Sequence, residues 1–205
     1  MEGATKERRR RADGERRRQK ILQAAAELAT VEGLEGLSIG RLAEHVGMSK
    51  SGLYAHFRSK EELQLATVEA AARILTQEVL VPGLEAPEGA RRLIALSEAF
   101  LSHVERRVFP GGCFFVSSSS ELNSRPGRVR DRIVAEYRVW IDLLREQVRK
   151  AQELGEVDRS ADIDQLVFEV NGILVAGNAF YLLFEDPEEL ERARRGVRER
   201  LQQSG

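Results

Sequence analysis

The sequence predicts an all-α fold in two parts, a three-helix unit at the N-terminal end and a larger helical unit behind it. Three observations carry this. Apolar residues recur at helical spacing along most of the chain, and no stretch alternates convincingly as a strand would. Ser38 and Ser49 each stand where a hydroxyl can accept from the orphan N–H groups of a first helical turn. Gly47 lies between them, where a positive φ can close one short helix and redirect the chain.

About nine helices are expected in order. The first runs from about Arg16 to Glu32 and stops at Gly33. Ile39, Leu42, Ala43 and Val46 mark the second, and Leu53 and Phe57 repeat the spacing in the third. Ser59 caps the fourth, with Glu62 at the reciprocal capping-box position, and Pro82-Gly83 ends it near Leu80. The fifth spans about Glu88 to Val108, before Pro110-Gly111-Gly112, and a short sixth about Cys113 to Glu121. The seventh, about Val129 to Leu154, ends at Gly155. Asp162 caps the eighth, about Ile163 to Phe184, and Asp186-Pro187 opens the ninth.

Charge is distributed unevenly. Residues 1–20 hold nine Lys or Arg against four acids, a balance of +5 in a chain whose total is −1. Such asymmetry hints at an end that meets nucleic acid, although a solvated charge run gives it too. Here the run abuts two short helices joined by a glycine turn, the arrangement that presents a recognition helix to a DNA major groove. An ordinary helical hairpin packed in a core is the plainer alternative.

Residues 16–65 resemble the DNA-binding domain of the TetR family of one-component repressors. The matching residues are Ile21 to Leu28, Gly33, Gly36, Leu42-Ala43 and then the order Gly-x-Ser-x-x-x-Leu-Tyr-x-x-Phe-x-Ser-Lys-Glu-Glu-Leu over residues 47–63. The resemblance implies a helix-turn-helix domain over 16–62 and a helical ligand-sensing and dimerisation domain over 63–205; the basic arm over 1–15 is expected to be disordered.

Within the hairpin, Lys50 can meet a phosphate or a guanine edge, and Ser49 and Ser51 offer short hydroxyls. Gly52 lets the backbone lie close to the duplex. The resemblance makes the Tyr54 hydroxyl a phosphate contact, with a half-buried core tyrosine as the alternative. Ser38, Arg41, His56 and Lys60 complete the expected phosphate contacts, Lys60 at the N-terminus of the fourth helix. Leu53 and Phe57 are assigned to packing. Many family members carry a polar or basic base-reading residue where this chain has Gly40, so readout is expected to lean on Lys50, Ser51 and the arginine-rich arm. Whether Arg8 to Arg11 enter a minor groove is left open.

For the larger unit the resemblance implies a pocket and a two-fold helical interface. Candidate pocket residues are Phe100, His103, Phe114, Tyr137, Trp140, Asn171 and Asn178, with Phe109, Phe115 and Tyr181 also considered. An aromatic wall with a few amides suits a small, largely apolar molecule. Phe168, Gly172, Val175, Ala179 and Leu182 share one face of the eighth helix and are the expected dimer contacts, with an intramolecular seam as the alternative. Two recognition helices one DNA turn apart would read a pseudo-palindromic operator.

Other classes find little footing. His45, His56 and His103 lack metal-ligand spacing, and no cofactor or metal is expected. Ser117 to Ser120 has no Gly-x-Ser-x-Gly context and no phosphate-cradling glycine loop occurs, so no enzyme is expected. Cys113 stands alone, which suits a reducing cytoplasm and an inert buried thiol rather than a redox switch. No secretory leader is read, and no apolar run long enough for a bilayer: Ile173 to Phe184 is short and interrupted by Asn178. The expected protein is a cytoplasmic, homodimeric, ligand-responsive repressor. A DNA-binding protein without a ligand, or a helical small-molecule-binding protein with a purely structural hairpin, remains compatible.

Overall fold

The computed structural model describes the backbone of residues 2–202 and the side chains of residues 12–202. These residues form nine helices and no strand. They are α1 (Glu2–Glu32), α2 (Ile39–His45), α3 (Lys50–Tyr54), α4 (Lys60–Leu75), α5 (Ala90–Glu105), α6 (Phe114–Leu122), α7 (Arg128–Leu154), α8 (Ile163–Phe184) and α9 (Glu188–Gln202). A π-helical turn (Thr76–Leu80) and a further helical turn (Val81–Leu84) prolong α4.

Local chemistry sets most ends. Ser38 accepts from the Arg41 N–H, Ser49 from Gly52 and Ser59 from Glu62, each at 3.1 Å. Glu62 returns a bond one residue earlier than the capping box expects, accepting the Arg58 N–H at 3.0 Å. Gly47 takes φ +66, Asp162 caps α8, and Asp186 accepts the Glu188 N–H at 2.9 Å.

Three expectations are corrected. Helix α1 starts at Glu2 rather than near Arg16, so helix replaces the expected disordered arm over residues 2–15. Strong helix formers and local pairs such as Arg16–Asp13 at 2.5 Å favour continuation. The side chains of Arg8 to Arg11, and hence the minor-groove question, lie outside the described residues. Next, α4 does not stop at Leu80. A proline ring would meet the carbonyl four residues back, here Glu78, and the widened turn just before Val81 lets the helix run past Pro82. Finally, α8 is 22 residues long with a window of mean hydropathy 1.6, so by length and composition it could cross a bilayer. Its apolar residues are instead divided among a cavity wall, a seam and an exposed stripe, described below.

The N-terminal core forms where α1 packs on α4 with the hairpin between. Leu22, Ala25, Ala26, Leu42, Leu53, Phe57 and Leu63 are all buried there. The Arg18 guanidinium lies 5.4 Å above the Phe57 ring, covering the core with its charge still outward. Behind it, α5, α7, α8 and α9 form the larger core. Helix α9 turns Leu190, Ala193, Val197 and Leu201 inward at helical spacing. Gly177 lets α9 approach α8: a Cβ there would lie 2.7 Å from the Ala193 Cβ. Arg194 ties α9 to α5, binding Glu98 at 3.0 Å and Glu105 at 2.6 Å.

His103 on α5 is buried to 1% exposure, edge-on to Phe109 at 5.3 Å, and neither ring nitrogen has a protein partner. Burial holds its pKa down at about 4, against an ordinary 6.5. The folded state therefore resists a proton that the unfolded state accepts. As pH falls from about 6.5 to 4, stability is expected to drop by up to about 3 kcal/mol, and to level off below. Replacing His103 with Leu should flatten the melting temperature over that interval in pH-dependent thermal melts.

Candidate nucleic-acid interface and effector cavity

Helix α3 has five residues and would not persist alone. Ser49 starts it, Leu53 is buried beneath it, and Phe57 pins the turn that follows. This leaves one face outward. Lys50 and Ser51 are exposed, and Tyr54 is 56% exposed, so its hydroxyl is available and the core-tyrosine alternative falls. Ser49 and Ser51 share a hydroxyl contact at 3.2 Å. Ser38 and Ser49 use acceptor lone pairs in capping and keep a proton to donate. His56 is half-buried against Phe57.

Gly40 acquires a reason. A Cβ on it would lie 3.4 Å from Lys50 Cε and 3.6 Å from Lys50 Nζ. The lysine thus lies across the second position of α2, and its ammonium stands beside the place where a residue-40 side chain would project.

Two expected phosphate contacts are tied down instead. Arg41 meets both oxygens of Glu32, Nε to Oε2 at 2.8 Å and Nη2 to Oε1 at 2.5 Å, and adds Glu44 at 3.2 Å. The hydrogen bond from Arg41 holds the Glu32 carboxyl below its ordinary pKa. Lys60 donates to the Glu35 carbonyl at 2.5 Å and reaches its carboxylate at 3.5 Å. Arg41 holds α2 to the end of α1, and Lys60 holds α4 to the turn after it. Arg58, exposed after α3, is a cation the sequence reading did not single out.

The second site is a small cavity of about 30 Å³ between α5, α6, α7 and α8, with room for a water or two. Four expected residues line it: Phe100, Tyr137, Trp140 and Asn171. Phe115, also considered, joins them, as do Leu75, Cys113, Val116, Glu136 and Val175, which the sequence did not mark as pocket residues. The polar groups satisfy one another. Trp140 Nε1–H donates to Asn171 Oδ1 at 3.1 Å, and Asn171 Nδ2–H to the Tyr137 hydroxyl at 3.4 Å. Burial raises the pKa of the Tyr137 phenol and of the Cys113 thiol. A wider groove over α7 shares Tyr137 but lies open to solvent. The enclosed aromatic site is the better receptor for an apolar guest.

Three pocket candidates fall outside. His103 is sealed against Phe109, and Phe114 is packed between Phe109 and Phe115. Asn178 spends its Oδ1 on the Cys113 N–H at 2.9 Å.

The exposed stripe of α8 also differs from expectation. Phe168 is 73% exposed, and Gly172 and Ala179 share its face. Val175 faces the cavity instead, and Leu182 covers Gly112. Phe180, Leu183 and Phe184 take their places in the stripe, with Leu183 at 72% exposure.

Two sequence families meet on this geometry. "Bacterial regulatory proteins, tetR family" matches residues 21–67, and "Tetracyclin repressor-like, C-terminal domain" matches residues 89–197, about half the chain. The chain belongs to the TetR family. It is an all-helical TetR-type transcriptional regulator with an N-terminal helix-turn-helix. It is 29% identical over 150 residues to the HTH-type transcriptional repressor AcnR of Corynebacterium diphtheriae, covering 73% of each chain. A TetR transcriptional regulator from Chloroflexus aurantiacus has the same architecture, at a TM-score of 0.86 and 26% identity, covering 94% of this chain and 98% of that one. AibR, solved with isovaleryl coenzyme A and operator DNA, shares the fold at a TM-score of 0.74 and 24% identity, with 91% and 98% covered.

In a TetR-type interface a free lysine and a tethered arginine should separate experimentally. Lys50→Ala is expected to weaken operator binding and to lower the slope of log affinity against log salt by about one. Arg41→Ala should leave that slope unchanged and lower thermal stability. Fluorescence-anisotropy titrations from 50 to 300 mM salt distinguish the two, and equal slopes for both variants would refute the assignment.

Proposed function

We propose that this TetR-family chain is a homodimeric repressor that binds a pseudo-palindromic operator and is released by a small, largely apolar molecule. The observation that carries the reading is one chain holding both an outward α3, with Lys50, Ser51 and Tyr54 free, and an enclosed aromatic cavity beside α4. A second copy fits the stripe from Phe168 to Phe184, whose exposed aromatics are costly to leave in water. Pairing through α8 and α9 would set the spacing of two recognition helices.

The effector enters a site that has no room for it at rest. A short acyl group, such as the isovaleryl group of AibR's ligand, has the chemistry these walls admit. Its arrival would shift α4, which leads from the cavity residue Leu75 back to the helix-turn-helix. A coupling of about 1–3 kcal/mol would lower operator affinity about 5–150-fold. No catalytic role is proposed, and DNA as partner puts the protein in the cytoplasm.

Selection from a random duplex pool at moderate salt should return one pseudo-palindrome that Tyr54→Phe and Lys50→Ala both bind less well. Retention without a shared sequence would leave the hairpin structural. In the same assay Leu183→Arg should sediment as a monomer and lose at least about tenfold in operator affinity, because each half-site then binds alone. A dimeric Leu183→Arg would move the interface elsewhere. Trp140, the sole tryptophan, reports cavity occupancy through its fluorescence.

A further inference from the structure

We infer that Glu121 couples the cavity to the helix-turn-helix, by a route through α6 that does not pass along α4; the inference rests on the effector-released reading above. The Glu121 carboxylate lies at the last turn of α6 and closes on the turn that follows α1. Its Oε2 accepts the Leu34 N–H at 2.7 Å and its Oε1 the Glu35 N–H at 3.0 Å. Two successive backbone N–H groups can converge on one anion because Gly33 takes φ +84, the geometry of an anion nest. Space adds a second requirement, since a Cβ on Gly33 would lie 2.8 Å from Glu121 Oε1. These are charge-assisted bonds, stronger than neutral ones, and they bridge 87 and 86 residues of sequence.

The clamped turn is also where the hairpin begins. Gln64 of α4 donates to the Leu34 carbonyl at 2.7 Å and Lys60 to the Glu35 carbonyl at 2.5 Å. Three residues after Glu35, Ser38 caps α2. A pull on Leu34 and Glu35 therefore acts on the start of α2 and on the first turn of α4 together.

The other end of α6 meets the cavity. Cys113, Phe115 and Val116 line it. Just ahead, the chain is anchored: the Gly111 N–H donates to Thr30 Oγ1 at 3.1 Å and the Cys113 N–H to Asn178 Oδ1 at 2.9 Å. With an anchored start, a push at Phe115 and Val116 tilts the helix about that start, and Glu121, about 9 Å further along, swings furthest. The push is unavoidable. A cavity with about 30 Å³ of open room admits a water or two, so any larger guest displaces a wall.

A double-mutant cycle tests this without an effector. Val116→Phe wedges the α6 wall, and Val175→Ile wedges the facing α8 wall more gently if the first does not melt cooperatively. Each is combined with Glu121→Ala and titrated against the operator duplex selected by the wild-type dimer. With Glu121 present, the wedge is expected to lower affinity about tenfold; in the Glu121→Ala background, less than about twofold. Equal losses in both backgrounds would overturn the clamp and leave α4 as the route. Amide hydrogen exchange gives a DNA-independent readout: Leu34 and Glu35 should be protected in wild type and should exchange faster in the wedge variant. Unchanged exchange there would also overturn it. If no operator is selected, the repressor reading fails, while exchange still decides the coupling.

Discussion

The DNA-facing surface depends on burying Leu53 and Phe57 beneath a helix too short to stand alone. Nucleating a helix fixes several residues for one hydrogen bond, so five residues in water would stay unfolded. Here the α1 and α4 core supplies the missing free energy, with both side chains removed from solvent. Burial of an aromatic and a leucine is worth several kcal/mol, far more than the caps at Ser49 and Ser59 add. Caps and the Gly47 turn then set direction rather than strength. The same anchoring decides which residues can face DNA: with Leu53 and Phe57 inward, Lys50, Ser51 and Tyr54 have no choice but outward.

That dependence makes the junction behind the hairpin consequential. Arg41, Lys60 and Gln64 are all engaged with the end of α1 or the turn that follows, through Glu32, Glu35 and Leu34. The surface ion pairs among them contribute little individually, typically below about 1 kcal/mol. Their effect is geometric. They bind α2 and α4 to one short turn, so that the three-helix unit moves as a body when the turn moves. The same contacts engage two cations of this unit within the chain, while Lys50 on α3 stays exposed.

Sequence was most informative where a structure is specified within one or two turns. Ser38, Gly47, Ser49, Ser59, Asp162 and Asp186 act on N–H groups two or three residues away or on their own φ, and each was legible. The tethers of Arg41 and Lys60 were not legible because their partners lie nine and 25 residues away, and nothing local distinguishes a tethered cation from a free one. In the cavity, Phe100, Tyr137, Trp140 and Asn171 could be chosen as aromatic or amide residues on apolar faces. His103, Phe114 and Asn178 carry the same signature and differ only in what packs against them. Glu121 gave no signal, since a glutamate at a helix end is ordinary and the nest it fills lies far away in sequence.

Helix α8 shows how one apolar sequence comes to serve three surfaces. A helix that is apolar all round cannot reveal by periodicity which face meets what, and its length alone would suit a bilayer. Small residues and amides divide it. Gly177 marks the α9 seam, because only there does a Cβ collide with a neighbouring helix. Asn171 and Asn178 mark inward positions, since each carries a hydrogen-bonding group that meets Trp140 or the Cys113 backbone. Once those are fixed, Phe168, Gly172, Ala179 and Leu183 face solvent, and Val175, at the edge of the same face nearest Asn171, borders the cavity. Gly172 has no neighbour within 4 Å, so its missing side chain serves nothing inside this chain. Its position is open to the helix of the second copy proposed above.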